Sequence, residues 1–365
     1  MYFRLRAIAQ VSKAFVHNIP LPHPLIFKTS FKVYIMGQNQ ALLNDWHIVA
    51  DARELQPLTV LPKRLLSEDI VLWHNGSTIF AWQDFCPHRG ARLSLGRIEK
   101  GNLACAYHGL QFNTEGKCVL LPATPDQPPP NRGFIKTYHV QEKYGIIWVC
   151  MGTPKRDIPH FPQWEDSASR KILSGPYRIQ ASPFRVLENF IDPAHFPFAH
   201  HGTFATSNHP EIIFDELKAS SSGICLDFKF WFKDFLVENN EDVVVTLLPC
   251  RYEIFHPLVV YFQNGIGTND YLSIYCAITP IDENESQLWL LFGVMFGEDV
   301  TDASFLEFQA AISKQDTRII ESQRPQHFSL DSQKEIHLPS DRLSLAYRKW
   351  LFEQGILNSK VQYRT

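Results

Sequence analysis

Between about residues 40 and 150 the apolar positions fall in short runs broken by turn-forming residues, the rhythm of strands rather than helices. Ile70 to His74 and Thr78 to Trp82 flank Asn75-Gly76, a pair that favours a two-residue hairpin turn. Phe112 and Cys118 to Leu120 flank a turn around Glu115-Gly116. This stretch predicts a small all-β unit. Further on, Leu226, Phe228, Phe230 and Phe232 alternate with Asp227, Lys229, Trp231 and Lys233, as in a half-buried strand. Val243 to Leu248, Tyr271 to Ile278 and Leu288 to Phe296 read as further strands. Helical spacing covers about 302–323, placing Phe305, Phe308, Ile312, Asp316, Ile319 and Gln323 on one face. A second helix spans about 341–354, with Ser340 as its N-cap and Gly355 just past its end. The expected class is α+β: a small all-β domain, then a larger antiparallel-sheet-plus-helix domain.

Prolines punctuate this pattern. Pro122, Pro125 and Pro128 to Pro130 mark a loop. Pro154, Pro159 and Pro162 mark a linker, dividing the chain into domains at 37–160 and 161–365. Residues 1–36 stand apart as a basic N-terminal extension: up to residue 35 they hold Arg4, Arg6, Lys13, Lys28 and Lys32 and no acidic residue. Two readings stay open, a transit peptide or an upstream stretch with Met36 as the working start. Cytoplasmic location is expected under the second, a plastid under the first.

Composition narrows the partners. With 35 basic and 38 acidic residues and a net charge of −3, the chain has no electrostatic footprint for nucleic acid or an anionic membrane. No apolar run approaches the length of about 20 that a bilayer requires. Of seven cysteines, Cys118, Cys150, Cys225, Cys250 and Cys276 are scattered singly, which argues against a disulfide framework.

The other two cysteines carry chemistry. Cys86-Pro87-His88-Arg89-Gly90 and Cys105-Ala106-Tyr107-His108-Gly109 each supply one thiolate and one imidazole. Sixteen residues separate His88 from Cys105, enough for a hairpin that brings two loops together. Two Cys can hold one iron and two His the other in a Rieske-type 2Fe-2S cluster, whose imidazoles raise the potential to roughly −150 to +300 mV. A Cys₂His₂ zinc site uses the same residue types, but zinc fingers pair Cys with Cys and His with His along the chain. Here each half is mixed.

A second constellation runs from Glu188 and Asn189 through Asp192 and His195 to His200 and His201. His195 and His200 are five apart, about 140° around a regular helix, and converge only if the helix is distorted. Pro197 between them makes distortion expected. Asp192, three before His195, can orient its second ring nitrogen or cap a helix with Pro193 at N1. His201 competes as a ligand. Asp316, a carboxylate on an apolar helix face, needs a metal or a salt bridge. With His195 and His200 it would complete a two-His-one-carboxylate set suited to non-heme Fe(II).

From about Leu43 to Leu351 the chain resembles the terminal oxygenase subunit of Rieske non-heme iron oxygenases, most of all the stand-alone monooxygenases. These include vanillate and dicamba demethylases, pheophorbide a oxygenases and saxitoxin-type hydroxylases. The resemblance rests on the two cluster loops, on Asn189, Asp192, His195 and His200 in family spacing, and on Gln315-Asp316 ahead of Glu321. It implies one 2Fe-2S cluster on Cys86, His88, Cys105 and His108, and one mononuclear Fe(II) on His195, His200 and Asp316, with His201 not a ligand. It also implies that Asp192 bridges His195 to His108 of a neighbouring subunit, in a homotrimer. Ala106 and Leu110 stand where relatives commonly carry Pro and Trp, and the C-terminal Cys-x-x-Cys of the pheophorbide-type members is absent.

The implied activity inserts one oxygen atom of O₂ into an aromatic or polycyclic substrate, by hydroxylation or oxidative demethylation. No Gly-x-Gly-x-x-Gly fingerprint for a dinucleotide is present, so electrons would come from an external reductase, with or without ferredoxin. Two rival readings stay open: an electron carrier or redox sensor, and a structural import-complex protein of the chloroplast envelope. Phe228, Phe230 and Phe262 are candidates for either pocket or core.

Overall fold

The computed structural model describes residues 36–233, 245–267, 271–295, 300–325, 328 and 335–357. The segment 1–35 and the strand ends expected at Val243 and Phe296 lie outside the described residues. Met36, grouped with the extension by sequence, is buried, and its N–H donates to Glu283 Oε1 at 2.9 Å.

A short helix α1 (Gln40–Leu43) leads into β1 (His47–Asp51), β2 (Val60–Leu65), β3 (Glu68–His74) and β4 (Ile79–Gln83). The expected β3–β4 hairpin forms, with His74 opposite Ile79. Its loop is four residues rather than two. Asn75 does not take positive φ; its Oδ1 instead accepts from the N–H groups of Ser77 and Thr78 at 2.9 and 2.8 Å. Then come β5 (Arg97–Glu99), β6 (Asn102–Ala104), β7 (Gln111–Phe112), β8 (Cys118–Leu120), β9 (Thr137–Lys143) and β10 (Ile146–Cys150). Six strands form one antiparallel sheet, β1-β10-β9-β4-β3-β2, and β5 to β8 a smaller one. Trp73, Trp82, Leu103 and Phe112 fill the space between them, together with Cys86 and Cys105.

The second part is built on one seven-stranded antiparallel sheet, β11-β17-β16-β15-β14-β13-β12. Its elements in chain order are α2 (Pro162–Glu165), β11 (Arg170–Ile179), α3 (Pro183–Phe190), α4 (Phe196–Ala199), β12 (Ile213–Ser220), β13 (Gly223–Lys233), β14 (Val245–His256), β15 (Val259–Asn264), β16 (Leu272–Pro280), β17 (Ser286–Val294), α5 (Asp302–Ser322) and α6 (Arg342–Glu353). On β13 the period of two holds: Ile224, Leu226, Phe228 and Phe230 are buried and their neighbours are not. On β17 it disappears because both faces are covered. Leu288, Leu290 and Phe292 join the core that contains α3 and α5, whereas Trp289 and Leu291 pack against Trp46, just before β1, Ile48 of β1 and Trp148 of β10. The large sheet is therefore the middle layer between the cluster-bearing unit and the helices. Buried polar contacts pin that junction. Thr279 Oγ1 donates to the Ile48 carbonyl at 2.6 Å, and His256 Nδ1 lies 2.7 Å from Asp45 Oδ1.

Two helix details differ from expectation. The N-cap of α6 is Asp341, not Ser340. Asp341 Oδ2 accepts from the Leu338 N–H at 2.8 Å, so the cap closes the preceding turn rather than the helix's first turn. At the other end Gly355 (φ +71°) allows Ile356 N–H to reach the Leu351 carbonyl, as expected of a glycine past the helix end. On α5 the buried stripe runs through Phe305, Gln309, Ile312, Ser313 and Ile320. Ile319 is exposed, because a stripe anchored at 305, 309 and 313 advances to 316 and 320, not 319.

Candidate metal centres

The two cluster loops are close copies in backbone. Gly90 N–H donates to the Cys86 carbonyl and Gly109 N–H to the Cys105 carbonyl, both at 2.9 Å. Cys86 N–H donates to the Ala91 carbonyl at 2.8 Å and Cys105 N–H to the Leu110 carbonyl at 2.9 Å. Both glycines sit near φ +70°, a conformation that a Cβ disfavours. The cradle at Leu110 is made by its carbonyl, so the departure from Trp leaves it intact. Pro122, from the proline-rich loop, packs over Gly109.

Both thiols are buried at 1% exposure, whereas His88 and His108 are exposed, with ring centroids 4.7 Å apart. An inner pair of thiols and an outer pair of imidazoles suits a two-iron cluster with its His-bound iron toward the surface. Burial pushes the Cys86 thiol up to about 11, so its thiolate needs a cation beside it. Among the described residues, the three or more donors that converge within the span of a single ion are His195, His200 and Asp316, not these four. One tetrahedral zinc would draw all four together.

The second site is assembled from three elements. Asp192 caps the single 3₁₀ turn Pro193–His195, its Oδ1 accepting from the Ala194 N–H at 2.9 Å. α4 follows with Pro197 in its first turn, so the chain passes from 3₁₀ to α geometry between the two histidines. That change, expected from the proline, brings His195 Nε2 and His200 Nε2 to 3.2 Å. Asp316 on α5 places Oδ1 3.3 Å from His195 Nε2 and 3.1 Å from His200 Nε2. Three edges of this length suit ligands about 2.1 Å from a common centre. Asp316 Oδ1 and His195 Nδ1 are buried without a well-aligned hydrogen bond, as donors and acceptors meant for another partner would be. Burial works against charge on both groups, but their mutual attraction wins. It holds the Asp316 carboxyl down to about 2, and with Asp192 it raises His195 to about 9.

Nearby residues sort clearly. His201 is exposed and accepts from the Ser207 N–H at 3.4 Å, away from the convergent set. Glu188 is held by Arg185 at 2.9 Å and Arg348 at 2.6 Å in a buried network that includes Glu335. Asp192 keeps a side chain 34% exposed, with Oδ2 3.7 Å from His195 Nδ1. The sequence did not single out one contact: His200 Nδ1 lies 2.8 Å from Gln315 Oε1. Its partners are 115 residues apart, so no local spacing signals it.

A cavity of about 440 Å³ opens on these residues. His195, His200, Asp316 and Asn189 line one part, and Phe196, Phe204, Phe262, Leu290, Phe292 and Phe305 much of the rest. Phe262 is thus a pocket residue, whereas Phe228 and Phe230 are core.

Comparison with known proteins agrees with this geometry. Residues 45–139 match the Rieske 2Fe-2S domain, and residues 179–354 match the vanillate O-demethylase oxygenase C-terminal domain. The chain is 30% identical over 335 residues to methylxanthine N1-demethylase NdmA of Pseudomonas putida, covering 86% of this chain and 92% of that protein. It superposes on the NdmA structure with caffeine at a TM-score of 0.72 and 28% identity, covering 87% and 92%. It is also 28% identical over 258 residues to Protein TIC 55, chloroplastic, of Arabidopsis thaliana, covering 68% of this chain and 47% of that one. The chain belongs to the Rieske non-heme iron oxygenases. Within them it is an oxygenase of the demethylase-like monooxygenase type, an O₂-dependent oxidoreductase with one 2Fe-2S cluster and one mononuclear iron. An electron carrier without oxygenase activity is set aside. Among the described residues, no helix is long and apolar enough to cross a membrane.

Proposed function

We propose that this chain oxidatively demethylates a planar aromatic or heteroaromatic methyl compound. Residues 37–160 would carry the cluster, on Cys86, His88, Cys105 and His108, and 161–365 the mononuclear iron, on His195, His200 and Asp316. The observation that carries the reading is the convergence of His195 Nε2, His200 Nε2 and Asp316 Oδ1 at an apolar cavity of about 440 Å³. Two of the relatives named above bear on the substrate: NdmA, a methylxanthine demethylase whose structure holds caffeine, and the vanillate O-demethylase family.

An Fe(II) held by His195, His200 and Asp316 would supply the activation of O₂. The chain's own residues do the rest. Phenylalanines and leucines of the cavity bury the ring and exclude water. Asp192 holds the turn that aims His195, and its half-buried carboxylate would meet the exposed His108 of a neighbouring subunit in a homotrimer. That contact would join the two centres. Electrons come from a separate reductase, with or without ferredoxin, since the chain lacks a dinucleotide fingerprint.

The test is reductase-coupled oxygen uptake against a panel of N-methyl and O-methyl aromatic compounds, with formaldehyde and product mass measured. Substrate-dependent uptake with stoichiometric formaldehyde is expected. Uptake with a product 16 mass units heavier and no formaldehyde would replace demethylation with hydroxylation.

A further inference from the structure

His200 is gripped from both ring nitrogens by successive residues of α5. Asp316 Oδ1 lies 3.1 Å from Nε2 and Gln315 Oε1 2.8 Å from Nδ1. The imidazole is 1% exposed, so bulk water does not compete for either nitrogen. His195 is treated differently: Asp192 Oδ2 is 3.7 Å from its Nδ1, and that nitrogen makes no hydrogen bond.

We propose that Gln315 is a positioning residue that locks His200 in the Nδ1–H tautomer and thereby sets the affinity of the mononuclear site. This rests on the assignment of His200 as a ligand. A neutral imidazole carries one N–H and one lone pair. An amide oxygen at Nδ1 requires the proton there and leaves the Nε2 lone pair facing His195 Nε2 and Asp316. With the opposite tautomer, an N–H would point into the space a cation must occupy. Since a buried Nδ1–H without an acceptor is costly, the hydrogen bond also stops the ring from turning about its Cβ–Cγ bond. One helix thus delivers a ligand and the orienter of another ligand from neighbouring positions, so their relative placement does not depend on any loop. A partner of this kind at the far nitrogen of a ligating histidine typically changes metal affinity or activity by about 10–100-fold.

The experiment uses full-length protein with its cluster in place and its mononuclear iron removed by a chelator. Fe(II) is titrated back anaerobically, and the free ion is read with a chromogenic competitor. Gln315→Leu is expected to weaken Fe(II) binding about 10–100-fold, with the cluster's visible absorption unchanged. Gln315→Glu, which keeps an acceptor and makes it anionic, is expected to bind Fe(II) at least as tightly as the parent. Parental affinity in Gln315→Leu would overturn the proposal. So would weakened affinity in Gln315→Glu, which decides the matter even if the leucine variant does not fold. His200→Ala separates the two claims: unchanged affinity in that variant would remove His200 as a ligand, and the role of Gln315 with it.

Discussion

Asp192 and His195 are joined through one turn of backbone: Asp192 Oδ1 caps the turn that ends at His195, while Oδ2 stands 3.7 Å from the His195 ring. One carboxylate thus reaches both the backbone turn and the His195 ring, and the two contacts can be separated because asparagine caps nearly as well as aspartate.

Asp192→Asn should keep the thermal midpoint, the cluster spectrum and the iron content while turnover falls by about 10–100-fold. Asp192→Ala should lose turnover too, and also about 1 kcal/mol of stability with the cap. Normal turnover in the asparagine variant, measured by coupled oxygen uptake, would remove the bridging role.

Asp316→Ala should weaken Fe(II) binding more than about tenfold, since under the proposed assignment it removes a ligand rather than a partner of one. Metal analysis after gel filtration checks this, and the cluster iron serves as the internal standard. Full mononuclear occupancy would move the carboxylate ligand elsewhere.

Cys86→Ser should abolish the cluster's visible absorption. The Cys86 side chain lies in the core formed with Trp73, Trp82 and Phe112, so some loss of stability will accompany it. His88→Ala tests the same cluster from the exposed side, where packing is not disturbed. Survival of the spectrum in both variants would end the cluster assignment.

The junction of the two units predicts a pH effect. Burial acts to raise the Asp45 carboxyl, but His256 at 2.7 Å, together with His47 and Arg156, outweighs it and holds the carboxyl below the ordinary aspartate range. A carboxyl with a lower pKa folded than unfolded stabilises the fold above about pH 4, and the contribution fades as pH falls through the folded value. Asp45→Asn should therefore cost about 1–3 kcal/mol near neutrality. The gap to the parent should narrow below pH 4. Urea midpoints across that range decide it, and a constant gap would refute the linkage.

Arg348 donates to Glu188 and faces Glu335 at 2.7 Å while standing over the Phe328 ring at 4.6 Å. Arg348→Met should destabilise the chain by about 3 kcal/mol, because two partly buried carboxylates lose a partner. A thermal midpoint within a degree of the parent would show the network to be dispensable.

By itself the sequence determined what is local. Strand period, helix spacing and the two cluster loops each lie within a few residues, where backbone geometry alone sets which side chains meet. The proline at 197 even announced the distortion that lets His195 and His200 converge. The β3–β4 turn was settled locally too, by the Asn75 side chain accepting from the Ser77 and Thr78 N–H groups. Two matters were decided only by the tertiary structure. Ile319 and Ile320 are both apolar, and only the packed sheet chose between them. Gln315 gained its role because α5 packs against β11 and α3, bringing residues 115 positions apart to 2.8 Å. Contacts of that kind depend on how layers stack, which no run of neighbouring residues encodes.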